Sequence, residues 1–483
     1  MSRPVLSRRK VLRLSALAGG AMLLGGAGCQ DTAAEKGPPA AGTATQPVKL
    51  RILVVDDSNL GEAIERQWRA DYDDIEVESA SVTVASTADA GRLPADVVIF
   101  SAWLLGHFAE RGLIRAPSQS LVASDKTAVR DILPLTRLHE ITWAGKIHAL
   151  PLASSQLVLI YRPDLLEKLK LPAPATWDDY RTAVDTLADR ALLGADAAPA
   201  DQPWRACAEP TGPGYGGALL LARAAAYASH RDQKTPLFEL GELTPLIDQP
   251  PFVRALSELV ASIKAAGQPP VDSPAAAFQE MLAGGCGMAL AWPAGDPLAA
   301  DAKVPPLAFA ELPGSRSAYN FGQKRWEERR GDEDQHVPLT AMSGWLAAVT
   351  MSSSQEAEAE SLVGWISGAE VSSRVASRSP NATLFRTAHR STLDLWARSI
   401  PAAAAEQYFD VVRQTQSRAG QVSNVRLPGS LRYQAALDQA VQRAIKDGQD
   451  PQASLRQAAD EWRKITAEIG VAAQREALDH SLG

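Results

Sequence analysis

The chain has 483 residues, enough for two or three lobes with proper cores. Its 49 Lys and Arg against 56 Asp and Glu leave it mildly acidic, which argues against the concentrated basic face that nucleic acid needs. Aromatic residues are sparse, yet 11 are Trp, a side chain whose flat apolar face and single donor suit sugar stacking as well as core packing.

The first 29 residues read as an address. Arg8 and Arg9 in SRRKVLRL fit a twin-arginine pattern. The apolar run from Leu14 to Gly28, about 15 residues, falls short of the roughly 20 needed to span a bilayer, so it reads as a signal region. It ends in GGAGC, which resembles a lipoprotein processing site with Cys29 as the acylated residue. Gly26 departs from the Leu usual there, and an ordinary signal peptide with a fortuitous Cys29 is the alternative. Residues 30–47 are small, polar and Pro-bearing, a flexible tether that cannot bury a core. The expected product is an exported soluble globule, lipid-anchored through Cys29. Without Cys29, Cys207 and Cys286 remain, an even pair in an oxidising compartment, so a disulfide between them is an open expectation. No CxxC or His/Cys cluster points to a metal.

Further along, KLRILVV (Lys49–Val55) has the look of a buried parallel strand, followed by an acidic turn and a helix over Leu60–Tyr72. DVVIF (Asp96–Phe100) repeats the pattern, with a helix over Leu104–Arg111 closed by Gly112. Ile147–Leu152 and Leu157–Tyr161 form a third strand region, and Asp164–Leu169 a helical stretch. Arg205–Ala208 is a strand before a helix over Ala218–Ser229. Phe252–Ala266 and Ala275–Leu282 are helices, Gly287–Trp292 a strand, and residues 313–338 a long polar loop. After Trp345–Val349 the chain is almost all helix. These alternations predict an α/β architecture without a fixed-period repeat.

Between Arg205–Ala208 and its helix lies EPTGPGYGG, where Gly212, Gly214 and Gly217 match a dinucleotide-binding pattern with Asp232 further on. The fingerprint needs a second strand ending in that acid. Here the helix runs straight into SHRDQKTP, and Pro213 and Tyr215 crowd the turn where a pyrophosphate needs bare backbone. A tight strand-to-helix turn that sets Glu209 and Tyr215 at the strand's carboxyl end is the stronger reading. GxSxG, HExxH and a Walker loop are also absent from the sequence, so an enzyme is not expected. Asp57 and Glu209 facing each other as a glycosidase pair stays open, because the sequence gives no distance.

At DVVIFSAWLLGHFAERGLI, GKIHALPLASSQLVLIYRPDLLEKL, PATWDDY and AFQEMLAGGCGMALAWP the chain resembles the family 1 extracellular solute-binding proteins, the maltose-binding type that serve ABC sugar importers. The resemblance runs from about Lys49 to Gly448. It implies a two-lobed periplasmic-binding-protein-like fold with hinge crossings and a ligand cleft between the lobes. Carried over, lobe one holds 48–152 and 293–345, lobe two holds 153–292 and 346–475, and 476–483 is a tail. Crossings then fall near Ala153–Ser155, Trp292–Pro293 and Ser343–Trp345.

In open α/β sheets ligands gather at the carboxyl ends of strands. That rule selects Asp57, Ser101, Trp103, Ser154, Ser155, Gln156, Glu209, Tyr215 and Trp292. The resemblance supports Ser101, Trp103, Ser155, Glu209, Tyr215 and Trp292, and adds Trp345 and Tyr433. Carboxylates and amides suit sugar hydroxyls, and Trp and Tyr suit ring faces. The plain alternatives are that Asp57 caps a helix, that Trp103 and Trp345 are core, and that Ser154 and Ser155 satisfy hinge backbone. Trp143 is expected to cover a hairpin, Arg426 to pair with the surface rather than point into the cleft, and Trp326 to be a lid or partner contact. The implied activity is capture of a carbohydrate-like solute by lobe closure and delivery to ABC permease subunits, by a monomer without a cofactor. A surface-anchored structural or sensory lipoprotein with the same fold is the alternative, distinguished by sugar titration.

Overall fold

The computed structural model describes residues 48–72, 75–194, 197, 202–299 and 302–483. The leader with Arg8, Arg9 and Cys29, and the tether 30–47, lie outside the described residues. Strands of the two main sheets, in chain order, are β1 (Val48–Val55), β2 (Ile75–Val82), β3 (Val97–Phe100), β4 (Ile114–Arg115) and β5 (Leu150–Ala153). They continue with β6 (Val158–Tyr161), β7 (Arg205–Ala208), β8 (Cys286–Ala291), β9 (Ala308–Ala310) and β10 (Trp345–Thr350). The helices that matter below are α1 (Ser58–Asp71), α2 (Gly216–Ala228), α3 (Pro250–Ala266) and α4 (Glu356–Ile366). Later come α5 (Ala369–Val375), α6 (Ser430–Lys446), α7 (Pro451–Ile469) and α8 (Val471–Leu482).

The first sheet has the order β2-β1-β3-β10-β4, with β5 also pairing β10. Its first three strands are parallel, and β10 runs antiparallel to its neighbours. The second sheet has the order β9-β6-β8-β7. Two sheets, each covered by helices, give the two-lobed α/β fold that the resemblance implied. The apolar runs became strands for the expected reason: Leu50 and Ile52 to Val55 are all buried on β1, which is covered on both faces. Strand β2 was not legible, because on this edge only Val77 is buried and the run reads as polar.

Several boundaries differ from those carried over. Ala308–Ala310 pairs with Tyr161 to Leu159, so β9 lies in the second sheet and the chain does not change sheets between β8 and β9. The expected polar loop contains a hairpin, Ser317–Asn320 paired with Arg325–Glu328, packed against α2 and α3 of the second lobe. Conversely, α4 packs on β10 and β5, and α5 on α1, so this stretch belongs with the first sheet. The expected tail is part of α8, with Ala477 and Leu478 buried. A continuous apolar run looks alike in either sheet, so sequence carried no address for these pieces.

Candidate functional site

The carboxyl ends of β1, β3, β8 and β7 bring several expected residues to the seam between the sheets. Asp57 is half-buried and has two tasks. Its Oδ1 caps α1 through the Leu60 amide at 3.0 Å, and its Oδ2 accepts the Ser379 hydroxyl at 2.8 Å. Ser101 and Trp103, both half-buried, lie on the turn after β3, and the Ala102 amide donates to the Ser343 carbonyl at 3.3 Å. That bond sets the Trp103 turn beside the entry to β10. Trp345 is buried there, its indole N–H donating to Ser379 Oγ at 2.9 Å.

From the second sheet, Trp292 is wholly buried and donates to the Pro380 carbonyl at 2.8 Å. Tyr215, half-buried at the start of α2, donates its hydroxyl to Asn381 Oδ1 at 2.5 Å. Burial pushes the Tyr215 pKa up, partly opposed by the Asn381 bond. Four groups from two sheets thus meet three consecutive residues. Ser379, Pro380 and Asn381 escaped sequence reasoning. Their Ser-Pro-Asn composition signals a turn, but nothing local places that turn at strand ends.

The other candidates are buried. Glu209 is 1 % exposed and forms an ion pair with Arg223 at 2.7 Å, with Tyr180 donating to its second oxygen at 3.1 Å. Burial works against the Arg223 charge, but Glu209 and the neighbouring Tyr180 and Glu258 outweigh it, and its pKa is raised. Both oxygens of this carboxylate are engaged inside the protein, by Arg223 and by Tyr180. Gln156 is buried, its amide donating to the Leu157 carbonyl and its oxygen accepting from Gln416 at 3.3 Å. The Ser154 hydroxyl donates to the Glu140 carboxylate, a side chain rather than the hinge backbone expected of it. Ser155 is buried with its hydroxyl unpartnered. Tyr433 sits in the core between α6 and α7, bonded to Thr466 at 2.8 Å and stacked edge-on against Trp462.

Cys207 and Cys286 are free buried thiols, so the possible disulfide is not formed. The register between β7 and β8 pairs Met288 with Cys207 and Cys286 with Arg205, leaving the two thiols diagonal rather than opposed. Arg426 neither reaches the surface nor the seam. It is buried, donating to the His139, Thr142 and Ser481 carbonyls. Trp143 lies in its hairpin, buried, with its N–H on Glu110 and the Arg426 guanidinium 5.3 Å from its ring centroid. Trp326 is 37 % exposed and packs edge-on against Tyr227 and Tyr319.

The glycine loop has a structural explanation. A Cβ at Gly212 would lie 2.3 Å from the Asp272 carbonyl oxygen, and one at Gly217 would lie 2.8 Å from Leu437. Gly214 has φ +83°, open to glycine at no cost. Asp438 of α6 accepts the Gly214 and Gly217 amides at 2.9 and 2.7 Å. A protein carboxylate therefore occupies the cradle that a pyrophosphate would need, and the dinucleotide reading fails on charge as well as on topology.

Bacterial extracellular solute-binding proteins match this sequence over residues 54–372, well over half of the chain. The chain belongs to that family. Solved structures agree on the fold. An ABC transporter solute-binding protein of Agrobacterium vitis S4 with bound D-mannitol is 18% identical at TM-score 0.60, covering 87% of this chain and 99% of its own. One from Agrobacterium radiobacter K84 in complex with ribitol is 17% identical at TM-score 0.62, covering 86% and 98%. Maltose-bound MalE3 of T. maritima is 17% identical at TM-score 0.61, covering 86% and 100%. No curated protein gives a match. Among the described residues no helix is long and apolar enough to cross a membrane, and no group of His, Cys, Asp and Glu could hold a metal ion.

Proposed function

We propose that this extracellular solute-binding protein captures a sugar or polyol between its lobes and hands it to an ABC permease, as a monomer tethered outside the cytoplasm by a lipid on Cys29. The observation that carries the reading is that Asp57 and Tyr215, both half-buried at strand carboxyl ends, meet on Ser379–Asn381, with the half-buried Trp103 on the turn after β3. A carboxylate that accepts hydroxyl protons, a phenol and an indole face make up the chemistry that a polyhydroxylated solute requires. The D-mannitol, ribitol and maltose held by proteins of the same fold lend support to that class. Solute touching both lobes favours the closed form only by its differential affinity for it.

Isothermal titration with D-mannitol, ribitol and maltose tests the reading, with Trp103→Ala as the diagnostic variant. Loss of one stacking face costs about 1 kcal/mol or somewhat more, so affinity falls roughly tenfold with the melting temperature nearly unchanged. Absence of heat and of thermal shift across a wide sugar and polyol panel contradicts the solute class.

A further inference from the structure

Ser379, Pro380 and Asn381 form a strap that reaches from one lobe to the other. Ser379 is fixed to the first sheet from both sides: its Oγ accepts from Trp345 at 2.9 Å and donates to Asp57 at 2.8 Å. The next two residues are fixed to the second sheet, by Trp292 on the Pro380 carbonyl at 2.8 Å and by Tyr215 on Asn381 Oδ1 at 2.5 Å. Just beyond, Thr383 pairs through its backbone with Ser154 and accepts the Gln156 amide on its hydroxyl, which ties the strap to the β5–β6 crossing. Pro380 has no N–H to offer. Toward its partners the strap therefore presents one hydroxyl and two amide-type oxygens, much the donor and acceptor set of a polyol.

Its partners fall into two kinds. Trp292 and Trp345 are wholly or almost wholly buried and unavailable to an incoming molecule. Asp57 and Tyr215 are half-buried, and they are the groups a hydroxylated solute would claim. We propose that the strap is a built-in stand-in for the solute. It links the lobes in the empty protein, and the solute binds by taking Asp57 from Ser379 and Tyr215 from Asn381 while the two indoles keep the strap anchored. The inference rests on the reading of this seam as the solute site. Its consequence is that apparent affinity is set by competition: only the fraction of molecules with the strap's two outer bonds open is competent to bind.

The experiment uses the mature chain, comparing wild type with Ser379→Ala/Asn381→Ala. Small-angle scattering of the solute-free proteins reads the link, and titration with D-mannitol, ribitol and maltose reads the competition. The variant is expected to be larger in radius than wild type when empty. The double variant removes the strap's two outer bonds and also the Trp345 anchor on Ser379 Oγ, while Asn381→Ala alone leaves both indole anchors in place. Freeing Asp57 and Tyr215 should tighten solute binding roughly tenfold. A purely structural role for the strap predicts the opposite sign, a loss of affinity. Asn381→Asp still accepts the Tyr215 proton and is expected to restore the wild-type radius. Should the double variant fail to fold, Asn381→Ala alone, at a half-buried position, carries the same two readings. An unchanged radius of the empty variant, or weaker binding, overturns the proposal. If none of the three compounds binds either protein, the assigned solute class fails, and scattering alone decides whether the strap links the lobes.

Discussion

The Glu209–Arg223 pair shows how a residue placed like a binder can be spent inside the protein instead. Glu209 has the right sequence position, at the end of a strand and before a glycine turn, yet its oxygens are spent on Arg223 and Tyr180. The Arg223 guanidinium also lies over the Trp177 ring, 4.2 Å from its centroid. A buried ion pair of this kind contributes little against well-packed apolar residues, but removing one member leaves an uncompensated charge. Glu209→Ala is therefore expected to destabilise the protein by roughly 3–5 kcal/mol. Urea denaturation reads that loss, and titration of the folded variant should give the wild-type solute affinity. A large drop in affinity with stability intact would return Glu209 to the solute site.

At the scale of elements, the crossings are held from beneath by one carboxylate. Glu140 ends a single π-helical turn, Thr136–Glu140. It accepts the Ser154 hydroxyl from the β5–β6 crossing at 2.9 Å and the Ala341 amide ahead of β10 at 3.2 Å. Ala341 has φ +54°, a left-handed conformation that costs a side-chain-bearing residue about 1 kcal/mol or more and persists because its surroundings hold it. Burial pushes the Glu140 carboxyl above its ordinary value of 4.5, against the lowering effect of the Ala341 amide, the Ser154 and Thr136 hydroxyls and the Arg426 guanidinium. The folded protein thus holds this proton more tightly than the unfolded chain does. The stability it contributes is present below pH 4.5 and is lost as pH rises through the higher folded value. Glu140→Gln keeps an acceptor for both partners and carries no charge. Its stability relative to wild type should rise with pH across that window, as measured by urea unfolding at a series of pH values. A pH-independent difference, or a variant that weakens further as pH rises, contradicts the buried-charge account.

At the scale of the whole molecule, the α/β alternation was legible because buried strands such as β1 and β3 are continuous apolar runs and their helices keep a 3.6 period. Membership of one sheet or the other was not legible, since it depends on pairing partners far along the chain, such as Ala308–Ala310 against β6. The site was half legible for the same reason. Strand ends announce Asp57, Trp103 and Tyr215, whereas Ser379–Asn381 is placed only by bonds to residues up to 322 positions away. Those distant bonds also decide how the molecule should unfold. The sheets share the β5–β6 crossing, the entry to β10 and the strap, so opening either lobe exposes the other's contacts, and a single cooperative transition is expected. A solute that binds only the native form should move that one transition, adding about 2.7 kcal/mol at a hundred times its dissociation constant. Calorimetry with and without bound solute checks this. Two separable transitions, with solute shifting only one of them, would mean that the lobes are held in register by the solute and not by the chain itself.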